Sequence, residues 1–99
     1  MYSVYILRCR GDRLYTGITT DPARRFSEHG GSRRGAKFTR AFSPEAVAAV
    51  WETETRSDAL RLESRIKQMK RADKERLIRD DDFALLCGGL DSNMYTRTR

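Results

Sequence analysis

In 99 residues the chain has one histidine, two cysteines, two prolines and one tryptophan. Cys9 and Cys87 lie far apart, and neither belongs to a Cys-x-x-Cys pair. With His29 as the one histidine, a Cys/His zinc centre is excluded. Nothing frames a disulfide scaffold, so the thiols read as reduced, structural groups of a cytosolic protein. No apolar run approaches the roughly 20 residues that cross a bilayer. The N-terminus shows no basic-then-apolar leader. The expectation is a cytoplasmic protein with no membrane partner. There is no internal repeat, and no linker long enough to separate domains.

What the chain does have is charge. Charged residues make up 34% and apolar residues 38%, with a net charge of +6 and a pI near 9.8. The apolar residues recur periodically, which argues against disorder. The positive balance points to a polyanion, most simply nucleic acid, although a basic protein with no such partner has the same total. The charge is uneven. Residues 80–99 hold four acids and two bases, which leaves +8 on residues 1–79. The basic surface therefore belongs to the part with regular patterning.

Two short β-prone runs open the chain, Tyr2 to Cys9 and Leu14 to Thr19. Arg10-Gly11-Asp12-Arg13 between them reads as a hairpin connection. Alternation puts Val4 and Ile6 on one face of the first run and Tyr5, Leu7 and Cys9 on the other. In the second run Leu14, Thr16 and Ile18 share one face, and Tyr15 and Gly17 the opposite one. Pairing then projects Tyr5 and Tyr15 from one face. A glycine inside a strand is costly unless something must come close to it.

Asp21 as N-cap, Pro22 at the first helical position and Gly30 as stop outline a short helix. Arg25 and His29 lie on one face of it, and Arg24 with Glu28 forms a second pair four apart. Either pair could be no more than a solvated face. Gly30 to Arg40 is glycine-rich and basic, suited to presenting N–H groups and cations to phosphates. In that loop Phe38 is more often a core anchor than a stacking platform for bases. A third strand is expected over Ala46 to Glu52, from Val47, Val50 and Trp51.

The strongest helix signal is Thr55 to Lys70. Thr55 and Asp58 make a capping-box variant. Ala59, Leu62, Ile66 and Met69 form the buried stripe. Glu63 falls at the rim of that stripe, with Arg61, Arg65 and Lys67 further round. The plain reading of Glu63 is an ion pair with Lys67, its i+4 neighbour. A shorter helix, Ala72 to Arg79, is anchored by Leu77 and Ile78. Beyond Asp80 the pattern decays, and a loose tail over 81–99 is expected, with Phe83, Leu85 and Leu86 available for one packed turn.

These residues together resemble the GIY-YIG nuclease superfamily, in particular its small stand-alone UPF0213 members, which are similar to the nuclease domain of structure-selective endonucleases. The resemblance runs from Tyr2 to about Ile78. Val4-Tyr5-Ile6 stands for the first signature, without its glycine, and Tyr15-Thr16-Gly17 for the second. Arg25 and His29 match the family arginine and histidine. Gly35-Ala36-Lys37-Phe38-Thr39-Arg40 is similar to a segment of the stand-alone members, and Glu63 stands at the metal-binding glutamate. The asparagine found after the glutamate in some members has no counterpart, because Asn93 is too distant.

The resemblance implies an α/β fold with a three-stranded, largely antiparallel sheet flanked by helices, as a nuclease domain over 1–80. It implies a divalent-metal-dependent endonuclease acting on DNA or RNA, with catalytic residues Tyr5, Tyr15, Arg25, His29 and Glu63. One Mg²⁺ or Mn²⁺ ion on Glu63 suits a cation that takes one or two carboxylates and keeps its waters. Tyr5 or His29 would take the proton, and Tyr15 would position water or phosphate. Arg24, Arg33, Arg34, Lys37, Arg40 and Lys67 are the candidate nucleic-acid contacts. The competing expectation is a catalytically silent nucleic-acid-binding module, which would need the bases but not Glu63.

Overall fold

The computed structural model describes residues 1–29 and 44–99, and the side chains of all of these except residues 27–29 and 44. The expected basic loop, with Arg33, Arg34, Lys37, Phe38 and Arg40, lies outside the described residues, as do the Gly30 helix stop and the side chains of Glu28 and His29.

Strand β1 (Tyr2–Cys9) is the centre of the sheet. Its hairpin partner β2 (Arg13–Thr19) pairs antiparallel, with Cys9 opposite Arg13. The connection turns through positive φ at Gly11 and Asp12, conformations that glycine and aspartate tolerate best. Helix α1 (Pro22–His29) follows, and the Asp21 carboxylate accepts from the Arg24 amide at 3.1 Å, as an N-cap should. Strand β3 (Pro44–Thr53) pairs antiparallel with the other edge of β1. Helix α2 (Arg56–Gln68) is capped by the Thr55 hydroxyl, which accepts from the Asp58 amide at 3.1 Å and donates to the Asp58 carboxylate at 2.7 Å. Helices α3 (Arg71–Asp80) and α4 (Phe83–Leu86) complete the ordered succession of helices. None of the described helices is long and apolar enough to cross a membrane.

Flanked on both edges, β1 is also covered on both faces. Val4 and Ile6 join Ala49, Trp51, Ala59, Leu62, Ile66 and Leu77 in the larger core under α2 and α3. Tyr5, Leu7, Cys9 and Val50 form a smaller cluster on the opposite face, against Tyr15, Phe26 and Val47. A register shift lets Ala49 face Ile6 while Val47 faces Leu7. The extra residue, Ala48, resets the alternation, so that Val47 reaches the smaller cluster. The two cysteines fall in different clusters as buried free thiols, and burial pushes both up, Cys87 to about 11.

The chain beyond Asp80 corrects the expected strand count. The sheet has four strands, in the order β2-β1-β3-β4, because β4 (Thr96–Arg97) pairs antiparallel with β3 at Trp51 and Glu52. From the final stretch, Phe83, Cys87 and Tyr95 are buried in the larger core, whereas Leu85 is 62% exposed. The Tyr95 hydroxyl donates to the Asp58 carbonyl at 2.8 Å. The Arg97 guanidinium lies over the Trp51 ring, 5.0 Å from its centroid. Two-residue strands and single anchors spaced along a polar segment leave no periodic signature, so pattern alone misses them.

A charged network ties the hairpin to α3. Arg8 donates twice to the Glu75 carboxylate, at 3.0 and 2.7 Å, and Arg71 bonds both Glu75 and Asp12. These donors hold the Glu75 carboxyl down at about 2. A depressed carboxyl stabilises the fold above its unfolded value, and that contribution disappears as pH falls toward 2. Because the network is about one-third exposed, its worth is that of a well-ordered surface pair, about 1 kcal/mol. Glu75→Gln should therefore lower urea-unfolding stability by about that amount at pH 7 and have almost no effect near pH 2. A deficit that is equal at both pH values would contradict the assignment.

Candidate active site

Tyr5 and Gly17 are direct cross-strand partners. The Tyr5 side chain, 1% exposed, lies across the glycine. A Cβ on residue 17 would fall 2.6 Å from the Tyr5 hydroxyl oxygen and 2.8 Å from the ring carbon that bears it. Any side chain here would displace the phenol, which is the close approach that makes a glycine worth its cost in a strand. Phe26 of α1 closes the other side of the ring, edge-on with centroids 5.4 Å apart. Tyr15 lies 6.3 Å away, tilted by 39°, and the two hydroxyls are hydrogen-bonded.

Burial pushes the Tyr5 phenol above its ordinary value. The nearby Tyr15 and Glu63 act in the same direction, and Arg25 acts against them. The bond to Tyr15 acts in the same direction as burial. Three expected site residues, Tyr15, Arg25 and Glu63, are thus within electrostatic reach of one buried hydroxyl. They come from β2, α1 and α2, three elements that meet only through the fold. His29 closes α1, four residues after Arg25, but its side chain lies outside the described residues.

Each charged member is held by its own element. Arg25 is half-buried, and its amide donates to the Asp21 carbonyl in the first turn of α1. With Thr19, Thr20, Asp21 and Arg24 it lines a recess of about 240 Å³. Arg24 itself is exposed. Glu63, with a side chain 19% exposed, sits beside the buried Leu62 on α2 and makes an ion pair with Lys67 at 3.4 Å. The ion pair with Lys67 expected as the plain reading of Glu63 is therefore present. A groove of about 600 Å³ runs along α2 between Leu60, Arg65 and Leu90 and includes none of these residues.

No three His, Cys, Asp or Glu side chains group as a metal centre among the described residues. The available donor is instead the mostly buried Glu63 carboxylate, within electrostatic reach of the Tyr5 phenol. That fits a hard ion such as Mg²⁺, which keeps most of its waters and takes further oxygens from a phosphate, and it does not fit a zinc centre. The pattern of sequence letters finds Tyr5, Tyr15, Arg25 and Glu63. Phe26 is the one site-forming residue that it passes over; its spacing along α1 places it one position after Arg25, and its apolarity beside two arginines is the available signal.

If Gly17 exists to admit the Tyr5 ring, the two positions are energetically coupled. Gly17→Ala should destabilise by about 1–3 kcal/mol. In a Tyr5→Leu background the same change should cost at least about 1 kcal/mol less. Additive costs in urea unfolding would contradict the contact.

Comparison with known proteins gives one answer. The family model of the GIY-YIG catalytic domain matches residues 1–76. A UPF0213 protein of Cupriavidus necator is 48% identical over 71 residues, covering 72% of this chain and 76% of that one. A UPF0213 protein of Halobacterium salinarum is 43% identical over 77 residues, covering 78% and 99% respectively. The solution NMR structure of a UPF0213 protein from Bacillus halodurans shares the fold with a TM-score of 0.52. It is 40% identical and covers 79% of this chain and 83% of its own. With its two tyrosines on one sheet face and its arginine and glutamate brought to them, this chain belongs to the GIY-YIG family, among its UPF0213 proteins.

Proposed function

We propose that the protein is a divalent-metal-dependent endonuclease that hydrolyses phosphodiester bonds in DNA, selecting branched, nicked or single-stranded structure rather than sequence. The observation that carries this reading is the convergence of Tyr15, Arg25 and Glu63 on the buried Tyr5 hydroxyl. A module that only binds nucleic acid needs cations, but it has no use for a carboxylate within electrostatic reach of the buried Tyr5 phenol.

Hydrolysis requires that a water lose a proton and that charge on the phosphoryl oxygens be matched. Glu63 would hold the ion, Mg²⁺ or Mn²⁺. When bound, the ion supplies Lewis-acid neutralisation of the phosphate and of the leaving oxygen. Arg25 offers the nonbridging oxygens a planar fork that matches phosphate geometry. Tyr5 keeps its proton in the resting site, because burial and Glu63 both favour the neutral phenol. Its packing against Tyr15, with ring centroids 6.3 Å apart, suits it to orient that phenol. Tyr15, less buried than Tyr5, is the phenol placed to touch the attacking water. His29 is the proton acceptor in this scheme, since imidazole is the side-chain type suited to proton transfer near neutral pH.

The basic residues Arg24, Arg33, Arg34, Lys37 and Arg40 would track the phosphate backbone. A domain of this size offers little surface for base readout, which favours recognition by shape. RNA presents the same phosphate chemistry, so the first assay includes it. The proposed setting is the cytoplasm.

The test is cleavage of labelled single-stranded, duplex and branched DNA, and of RNA, with Mg²⁺ or Mn²⁺. Glu63→Ala should lower the rate by about 10²-fold or more. Equal cleavage by wild type and variant would overturn the site. Salt-sensitive binding without product from either would overturn the enzyme in favour of a binding module.

A further inference from the structure

The Glu63 carboxylate carries a tethered cation. Lys67 stands one turn further along α2, and its ammonium lies 3.4 Å from a Glu63 oxygen. The partners differ in freedom: the Glu63 side chain is 19% exposed and that of Lys67 is 57%. The carboxylate is held by the fold, whereas the lysine reaches it from solvent on a flexible stem. Nearby bases of the helix are engaged elsewhere, Arg61 with Asp58 and Arg65 with the Gly88 carbonyl. No group of three acidic, His or Cys ligands forms around Glu63 among the described residues, and an arriving divalent ion meets a carboxylate already matched by a cation.

We propose that Lys67 is the resident counter-ion of Glu63 and must leave it before a divalent ion binds, so that this lysine sets the metal concentration at which the site fills. The inference rests on Glu63 being the metal carboxylate, as in the function proposed above. An i,i+4 pair exposed to water is weak, which makes exchange easy. The stronger effect is repulsion between an ammonium and a doubly charged ion a few ångströms apart, moderated by solvent and salt. Until displaced, Lys67 is committed to Glu63 rather than available to phosphate. Lys67 is a positioning residue here, because it acts through Glu63.

The test is Mn²⁺ binding to the full chain without nucleic acid, read from the electron paramagnetic resonance signal of free Mn²⁺. The variants are Lys67→Gln, Lys67→Arg and Glu63→Gln, with circular dichroism verifying the fold. Lys67→Gln should bind Mn²⁺ about three- to tenfold more tightly than wild type. Lys67→Arg keeps the cation and should stay close to wild type. Glu63→Gln should lose about tenfold or more. Unchanged or weaker binding by Lys67→Gln, with Glu63→Gln impaired, would overturn the exchange and leave Glu63 as the metal carboxylate. Wild-type binding by Glu63→Gln would overturn both.

Discussion

A phenol ring laid across a glycine organises the protein. Tyr5 is buried in the middle of the central strand, and the missing side chain of Gly17 is the space it occupies. That packing sets the height of the Tyr5 hydroxyl above the sheet and so where Tyr15 can meet it. Phe26 presses α1 against the same ring and thereby positions Arg25. Glu63 arrives from the opposite core, on a helix whose apolar stripe is buried under the other face of the sheet. One close contact thus links the two cores to the chemistry: the sheet is thin, and its middle strand is buried on both sides.

The remaining structure keeps that strand central. The Arg8–Glu75–Arg71–Asp12 network pins the hairpin turn to α3 and prevents the edge strand from splaying. On the other edge, β4 and the Arg97–Trp51 stack cover β3, with backbone bonds between Val50 and both Thr98 and Arg99. A small domain has few apolar residues to spend, and here the last twenty supply Phe83, Cys87 and Tyr95 to a core that would otherwise be open. Part of what tightens the fold thus lies beyond the span that carries the family resemblance.

Legibility in the sequence followed periodicity. Val4 against Tyr5, the stripe of Ala59, Leu62 and Ile66, and the caps at Asp21 and Thr55 were readable because each is a local pattern with a physical cause. Tyr5, Tyr15, Arg25 and Glu63 could be named from their motifs, but their meeting depends on a strand pairing, a helix docking and a crossover that no local window encodes. The anchors of the last twenty residues are illegible for the same reason. Tyr95 and Arg97 act singly, through one ring contact and one two-residue ladder, and a polar segment with isolated anchors looks loose. The protonation of Tyr5 was also beyond reach, since burial on the smaller core, not residue type, determines it.

The most direct test of the account is a pH titration of ¹³C-labelled tyrosines by NMR, in wild type, Glu63→Gln and Arg25→Gln. Convergence of the three groups predicts that Tyr5 titrates last of the four tyrosines, above the ordinary value of about 10. Removing the Glu63 charge should then move it down, and removing the Arg25 charge should move it up. A Tyr5 that titrates at the ordinary value, indifferent to both substitutions, would mean that the four side chains do not share a site.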